Sequence, residues 1–100
     1  MQLTPLKCIT IVSERFLKKE IIELIKNSGA KGYTITDAVG EGSRGIRASE
    51  WEGKNVKIET IVSDEAAESI IKSISNEYFA NYAVIVYTNE VKVVRGDKYI

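Results

Sequence analysis

The sequence predicts an α+β domain in which two helices cover one face of an antiparallel sheet. Runs with β-branched, alternately apolar residues are typical of strands and recur along the chain. Two other segments carry apolar residues at helical spacing, with Lys and Glu between them. These segments follow one another in the order βαββαβ, the order of the ferredoxin-like fold. At 100 residues, the chain is long enough for a single domain, residues 1–100, with one modest core.

The first half of the chain is predicted to hold two strands and one helix. Residues 6–12 form the first strand, and Ser13 follows as the expected N-cap of the first helix. That helix ends near Gly29, which suits the C-cap region. Residues 32–36 form the second strand.

The second half begins with a third strand over residues 56–62. Ser63 or Asp64 is expected to cap a second helix, whose first turn is acidic, as the positive end of a helix favours. Residues 83–87 form the fourth strand.

Residues 88–90, Thr-Asn-Glu, look like a turn, so residues 91–94 are expected to form a short extra C-terminal strand. The tail, residues 95–100, is polar and expected to be mobile unless it docks. The first and fourth strands are apolar on both faces, which predicts that another subunit covers the sheet face without helices.

Composition excludes several function classes. The net charge is zero, so no overall field attracts nucleic acid or an anionic membrane. The chain has no His and a single Cys, which leaves no His-based catalysis, no internal disulfide and little basis for a zinc site. RNA-recognition modules share the βαββαβ order, but the third strand here has no aromatic residue to stack a base.

The long loop between the second and third strands, residues 39–55, is the candidate functional element. Its glycines permit turns that aim backbone N–H groups at an anion, and Arg44 and Arg47 add forked cations suited to phosphate. Ser43 adds a hydroxyl donor. A polar hairpin loop with solvated arginines is the alternative interpretation, and it stays open on spacing alone. Trp51 either anchors a partner or packs within its own loop.

Two motifs carry a resemblance to a known family. Residues 29–34 read Gly-Ala-Lys-Gly-Tyr-Thr, and residues 42–49 read Gly-Ser-Arg-Gly-Ile-Arg-Ala-Ser. Together with residues 78–83, they resemble the P-II signalling superfamily, and within it the cyanobacterial SbtB type, from Leu6 to about Val94. Classical P-II proteins have a phosphate-binding loop before the fourth strand, whereas residues 76–82 here contain no Gly and no Lys.

The resemblance implies a regulatory protein rather than an enzyme, with slow nucleotide hydrolysis left open. It implies a homotrimer that binds cyclic AMP, AMP, ADP or ATP as effectors in clefts between subunits, without an obligatory cofactor or metal. It further implies a cytoplasmic protein that associates reversibly with a membrane bicarbonate transporter of the SbtA type. A P-II-like regulator of another carbon or nitrogen target is the alternative.

The resemblance also assigns site residues. Nucleotide contacts are expected at Gly32, Tyr33, Thr34, Gly42, Ser43, Arg44, Arg47, Val84, Ile85, Val86 and Tyr87. The loop tip, Glu50, Trp51 and Glu52, is expected to bind the protein partner.

Overall fold

A computed structural model describes residues 2–40 and 55–100. Their strands form one sheet in the order β2-β3-β1-β4, in which all neighbours are antiparallel. Two helices pack on one face, which confirms the predicted α+β, ferredoxin-like fold. The elements are β1 (Leu3–Glu14), a 3-10 turn (Arg15–Leu17), α1 (Lys18–Asn27), β2 (Thr34–Ala38), β3 (Asn55–Val62), α2 (Asp64–Tyr78), β4 (Ile85–Val94) and a second 3-10 turn (Gly96–Tyr99).

The core lies between the sheet and the two helices. Alternate residues of β1 and β3 face the helices because side chains alternate along a strand, and Ile9 pairs with Thr60 and Ile11 with Ile58. Each buried isoleucine stabilises the fold by about 1.5–3 kcal/mol. The largest fully buried apolar side chains are Ile9, Ile11, Leu17, Ile21, Ile25, Ile58, Ile70, Ile74, Val56 and Val62.

Two of the three predicted helix boundaries are confirmed. The Ser63 side chain caps α2 by accepting a hydrogen bond of 3.2 Å from the Ala66 amide. α1 ends in a Schellman motif at Gly29, whose φ of +113° favours glycine. In that motif the Ala30 amide donates to the Ile25 carbonyl at 3.0 Å. The predicted Ser13 cap is wrong, because Ser13 is still part of β1.

The predicted extra C-terminal strand is also wrong. Residues 88–90 are not a turn, and residues 91–94 form the second half of β4. The strand continues because β1 is longer than predicted and begins at Leu3, so it pairs with β4 as far as Val94. Pro5 is tolerated in β1 because β3 pairs only from Lys7 onwards, which leaves one side of Pro5 without a strand neighbour.

The C-terminal tail docks against β1. Gly96 is buried in the turn Gly96–Tyr99, and a Cβ at this position would lie 2.3 Å from the Cβ of Thr4. Only a residue without a side chain therefore permits this approach. Within residues 2–40 and 55–100, no helix has the length and apolar character needed to cross a bilayer.

Candidate functional site

The described site residues fall into two groups on opposite edges of the sheet. Gly32 and Tyr33 lie just before β2, which begins at Thr34, whereas Val84 lies just before β4 and residues 85–87 begin that strand. The predicted second strand began too early, since Gly32 and Tyr33 precede β2. β3 and β1 separate the two edges, so three strand spacings, about 14 Å, lie between the groups. One chain alone does not bring them together.

The segment before β2 is attached to the centre of the domain. Thr60 of β3 is 2% exposed, and its hydroxyl donates a hydrogen bond of 2.7 Å to the Gly32 carbonyl oxygen. This bond fixes the backbone just before Tyr33. Sequence reasoning missed Thr60, although a polar residue at an inward position of a strand is a signal for a buried hydrogen bond.

Tyr33 presents an aromatic ring next to a cation. Its side chain is 41% exposed, and the Nζ of Lys26, on α1, lies 5.8 Å from the ring centroid. This distance is within the range of a cation–π contact. An exposed aromatic ring offers a flat surface to a planar ligand such as a purine.

The residues at β4 differ in what they can offer a ligand. Val84 and Val86 pack against the core, so their side chains point away from the open sheet face, which is the face that α1 and α2 do not cover. Ile85 and Tyr87 lie on that face, opposite Val12 and Thr10, and are 57% and 45% exposed. The side chains available at this edge are therefore Ile85 and Tyr87.

The predicted loop leaves and re-enters the sheet at paired residues. Ala38 of β2 pairs with Asn55 of β3, and Asn55 pairs with Glu14 of β1. Arg15, just after β1, reaches across β3 to form an ion pair with Asp37. Sequence reasoning missed this pair because its partners are 22 residues apart.

Seven predicted site residues lie outside the described residues: Gly42, Ser43, Arg44, Arg47, Glu50, Trp51 and Glu52.

An aromatic cluster holds the connection between α2 and β4. The Tyr82 ring lies 5.9 Å from the Phe16 ring and 5.8 Å from the Tyr78 ring, measured between centroids. The Tyr78 hydroxyl donates to Glu20 at 3.1 Å. Burial, and then the hydrogen bond to the Glu20 carboxylate, raise the pKa of Tyr78 well above its usual 10.0. The segment leading to residues 84–87 is therefore anchored to α2 and to the 3-10 turn Arg15–Leu17.

Comparison with protein families gives a match along almost the entire chain. The family model described as Nitrogen regulatory protein P-II matches residues 6–98. The Nitrogen regulatory protein P-II of Rhizobium meliloti (strain 1021) is 29% identical over an alignment of 79 residues, and the match covers 71% of this chain and 70% of that protein.

Solved structures agree with this match. A putative PII-like signaling protein from Thermus thermophilus is 57% identical, with a TM-score of 0.88 and all of both chains covered. CPII from Thiomonas intermedia K12, bound to ADP, AMP and acetate, is 26% identical, with a TM-score of 0.85 over 99% of this chain and 98% of CPII. A second CPII structure, bound to ADP and bicarbonate, has the same identity, TM-score and coverage.

Proposed function

This chain belongs to the P-II family of nitrogen regulatory proteins, and we propose that it binds adenine nucleotides, AMP and ADP foremost, in clefts between the subunits of a homotrimer. The observation that carries the proposal is its superposition, over nearly the full length of both chains, on CPII bound to ADP and AMP. Cyclic AMP and ATP are proposed as further effectors on the sequence resemblance to SbtB-type proteins.

The edge positions of the two site groups support a cleft between subunits. A nucleotide that contacts both groups needs the β2 edge of one copy next to the β4 edge of another. Contact between two different surfaces is heterologous, and it generates a closed ring when the rotation between copies closes. Tyr33 and Thr34 then belong to one subunit and Tyr87 to its neighbour.

The open sheet face supports the assembly. It carries Ile85, Tyr87 and Val91 of β4 and Ile61 of β3, and Ile85 is 57% exposed. Within the described residues α1 and α2 leave this face uncovered, and exposed apolar side chains grouped on one face are typical of a surface that a partner buries. A second copy covers this face in the proposed trimer.

The phosphate groups of the nucleotide are assigned to the loop between β2 and β3. Gly42 and Ser43 are proposed to supply backbone and hydroxyl donors, and Arg44 and Arg47 to supply charge-assisted hydrogen bonds. The stems of that loop, Ala38 and Asn55, are held together by the sheet, so both ends of the loop start from one place.

The signalling output is proposed to be control of a membrane bicarbonate transporter of the SbtA type, with the protein in the cytoplasm and reversibly at the membrane. The loop tip, Glu50, Trp51 and Glu52, is assigned to the contact with the transporter. A CPII relative was solved with ADP and bicarbonate, which favours a role in inorganic-carbon control and makes bicarbonate a second ligand to test.

Calorimetry of the full chain with AMP, ADP, ATP and cyclic AMP, each with and without bicarbonate, tests the nucleotide proposal. Light scattering on the same samples gives the mass of the assembly. We expect saturable binding of AMP and ADP at up to one nucleotide per chain, and the mass of three chains. A chain that binds none of the four nucleotides would contradict the proposed function.

A further inference from the structure

The 3-10 turn Arg15–Leu17 contacts two separate parts of the chain. Arg15 forms its ion pair with Asp37, near the end of β2. The next side chain, Phe16, lies against Tyr82, with 5.9 Å between the ring centroids. Leu17, the third residue of the turn, is 1% exposed and packs in the core. A turn that is anchored in the core thus contacts both the end of β2 and the approach to β4.

Both contacted residues adjoin candidate ligand segments. Asp37 follows Thr34 by three residues and immediately precedes the paired loop stem at Ala38. Tyr82 precedes Val84 by two residues. The two halves of the candidate site lie on opposite edges of the sheet, and the turn contacts the neighbourhood of each half.

We propose that the turn Arg15–Leu17 positions these two segments for nucleotide binding, with Arg15 and Phe16 as its positioning residues. The inference rests on the proposed function, since it requires these segments to bind a nucleotide. Neither residue needs to touch the nucleotide. Arg15 sets where the end of β2 lies relative to β1, and Phe16 sets where the chain lies as it enters β4.

The exposure of the ion pair explains why affinity, and not folding, should respond to its loss. The side chains of Arg15 and Asp37 are 36% and 68% exposed, and ion pairs with this exposure contribute little to folding. The pair nevertheless spans three neighbouring strands, since β3 lies between its partners. A contact that favours one position of the end of β2 raises the fraction of molecules that can bind the nucleotide.

ADP calorimetry on the full chain tests the Arg15 contact, with urea unfolding measured on each variant. Arg15→Gln and Asp37→Ala should each weaken ADP binding by about two- to fivefold, the range that corresponds to an exposed ion pair. The double variant Arg15→Asp with Asp37→Arg should recover most of the affinity. Lys7→Gln is the matched control, because it removes the Lys7–Glu90 pair of 3.7 Å towards the other end of β1 and should leave affinity unchanged.

A second pair of variants tests the Phe16 contact. Phe16→Leu removes the ring that lies against Tyr82 and should weaken ADP binding, whereas Phe79→Leu, at an exposed phenylalanine after α2, should not. Wild-type affinity in Arg15→Gln, Asp37→Ala and Phe16→Leu would overturn this inference and leave the proposed function standing. If Arg15→Gln does not fold, the ADP affinity of Asp37→Ala tests the contact between Arg15 and Asp37. A wild-type chain that binds none of AMP, ADP, ATP and cyclic AMP would instead overturn the proposed function, and this inference with it.

Discussion

The hydroxyl of Thr60, in the middle of β3, donates a hydrogen bond of 2.7 Å to the carbonyl oxygen of Gly32, which lies 28 residues earlier in the chain. Thr60 is 2% exposed, so the bond is shielded from water on its donor side. It fixes the backbone that presents Tyr33 and Thr34. A core residue thereby determines the position of one half of the candidate nucleotide site.

Replacement of Thr60 by valine should show whether this bond contributes to both the stability of the fold and the binding of ADP. Thr60→Val keeps the shape of the side chain and leaves the Gly32 carbonyl without its donor, which should lower the free energy of unfolding by about 1–3 kcal/mol. Urea unfolding measures this loss, and ADP calorimetry should show weaker binding. Thr36→Val, at an exposed position of β2, is the control and should change stability by less than about 0.5 kcal/mol.

A charged residue on the open sheet face should dissociate the proposed trimer. Ile85→Asp places a carboxylate where a neighbouring subunit would bury an apolar side chain, and it should leave the single chain folded because Ile85 is 57% exposed. Light scattering at micromolar concentration should fall from the mass of three chains to that of one. Phe79→Asp is the control, since Phe79 is 51% exposed after α2, away from that face. A wild-type mass for Ile85→Asp would argue against this face as the interface.

Alkaline pH should destabilise the protein through Tyr78. The pKa of Tyr78 is raised above its ordinary 10.0 by burial and by the hydrogen bond to Glu20, so the folded chain favours the neutral phenol. The corresponding stability is complete below about pH 10 and is lost as the pH rises above that value towards the folded-state pKa. Urea unfolding between pH 8 and 11 should therefore show a decline that is shallower in Tyr78→Phe. Equal slopes in the two proteins would show that Tyr78 does not contribute.

The sequence predicts secondary structure correctly where a short segment carries a clear pattern. Alternate apolar residues in β3 correctly predict a strand with one buried face, and Ser63 with an acidic first turn correctly predicts the start of α2. These features are local, so they can be read from a short stretch of sequence. The overall order of elements followed from them.

The errors arise where pairing overrides local preference. Ser13 has the chemistry of an N-cap, but it pairs with Val56 and remains in β1. Asn89 lies in a polar triplet that resembles a turn, but it pairs with Cys8 in the middle of a ladder. The local structural propensity of a residue has little effect where strand pairing supplies a full set of hydrogen bonds. For the same reason, contacts such as Arg15 with Asp37 could not be predicted before the sheet order was known.

The loop arginines provide the most direct test of phosphate binding. Arg44 and Arg47 stand three positions apart in a segment with three glycines at positions 40, 42 and 45, and a charge-assisted hydrogen bond contributes about 1.5–3 kcal/mol. Arg44→Ala and Arg47→Ala should therefore each weaken ADP binding roughly ten- to a hundredfold without changing the mass of the assembly. The same two substitutions should weaken AMP binding by no more than they weaken ADP binding, because AMP has one phosphate group fewer. Lys19→Ala, at an exposed position of α1, controls for the loss of one positive charge. Unchanged ADP affinity in both arginine variants would move the phosphate site to other cations, and Arg95 and Lys98 in the docked tail would be the next pair to substitute.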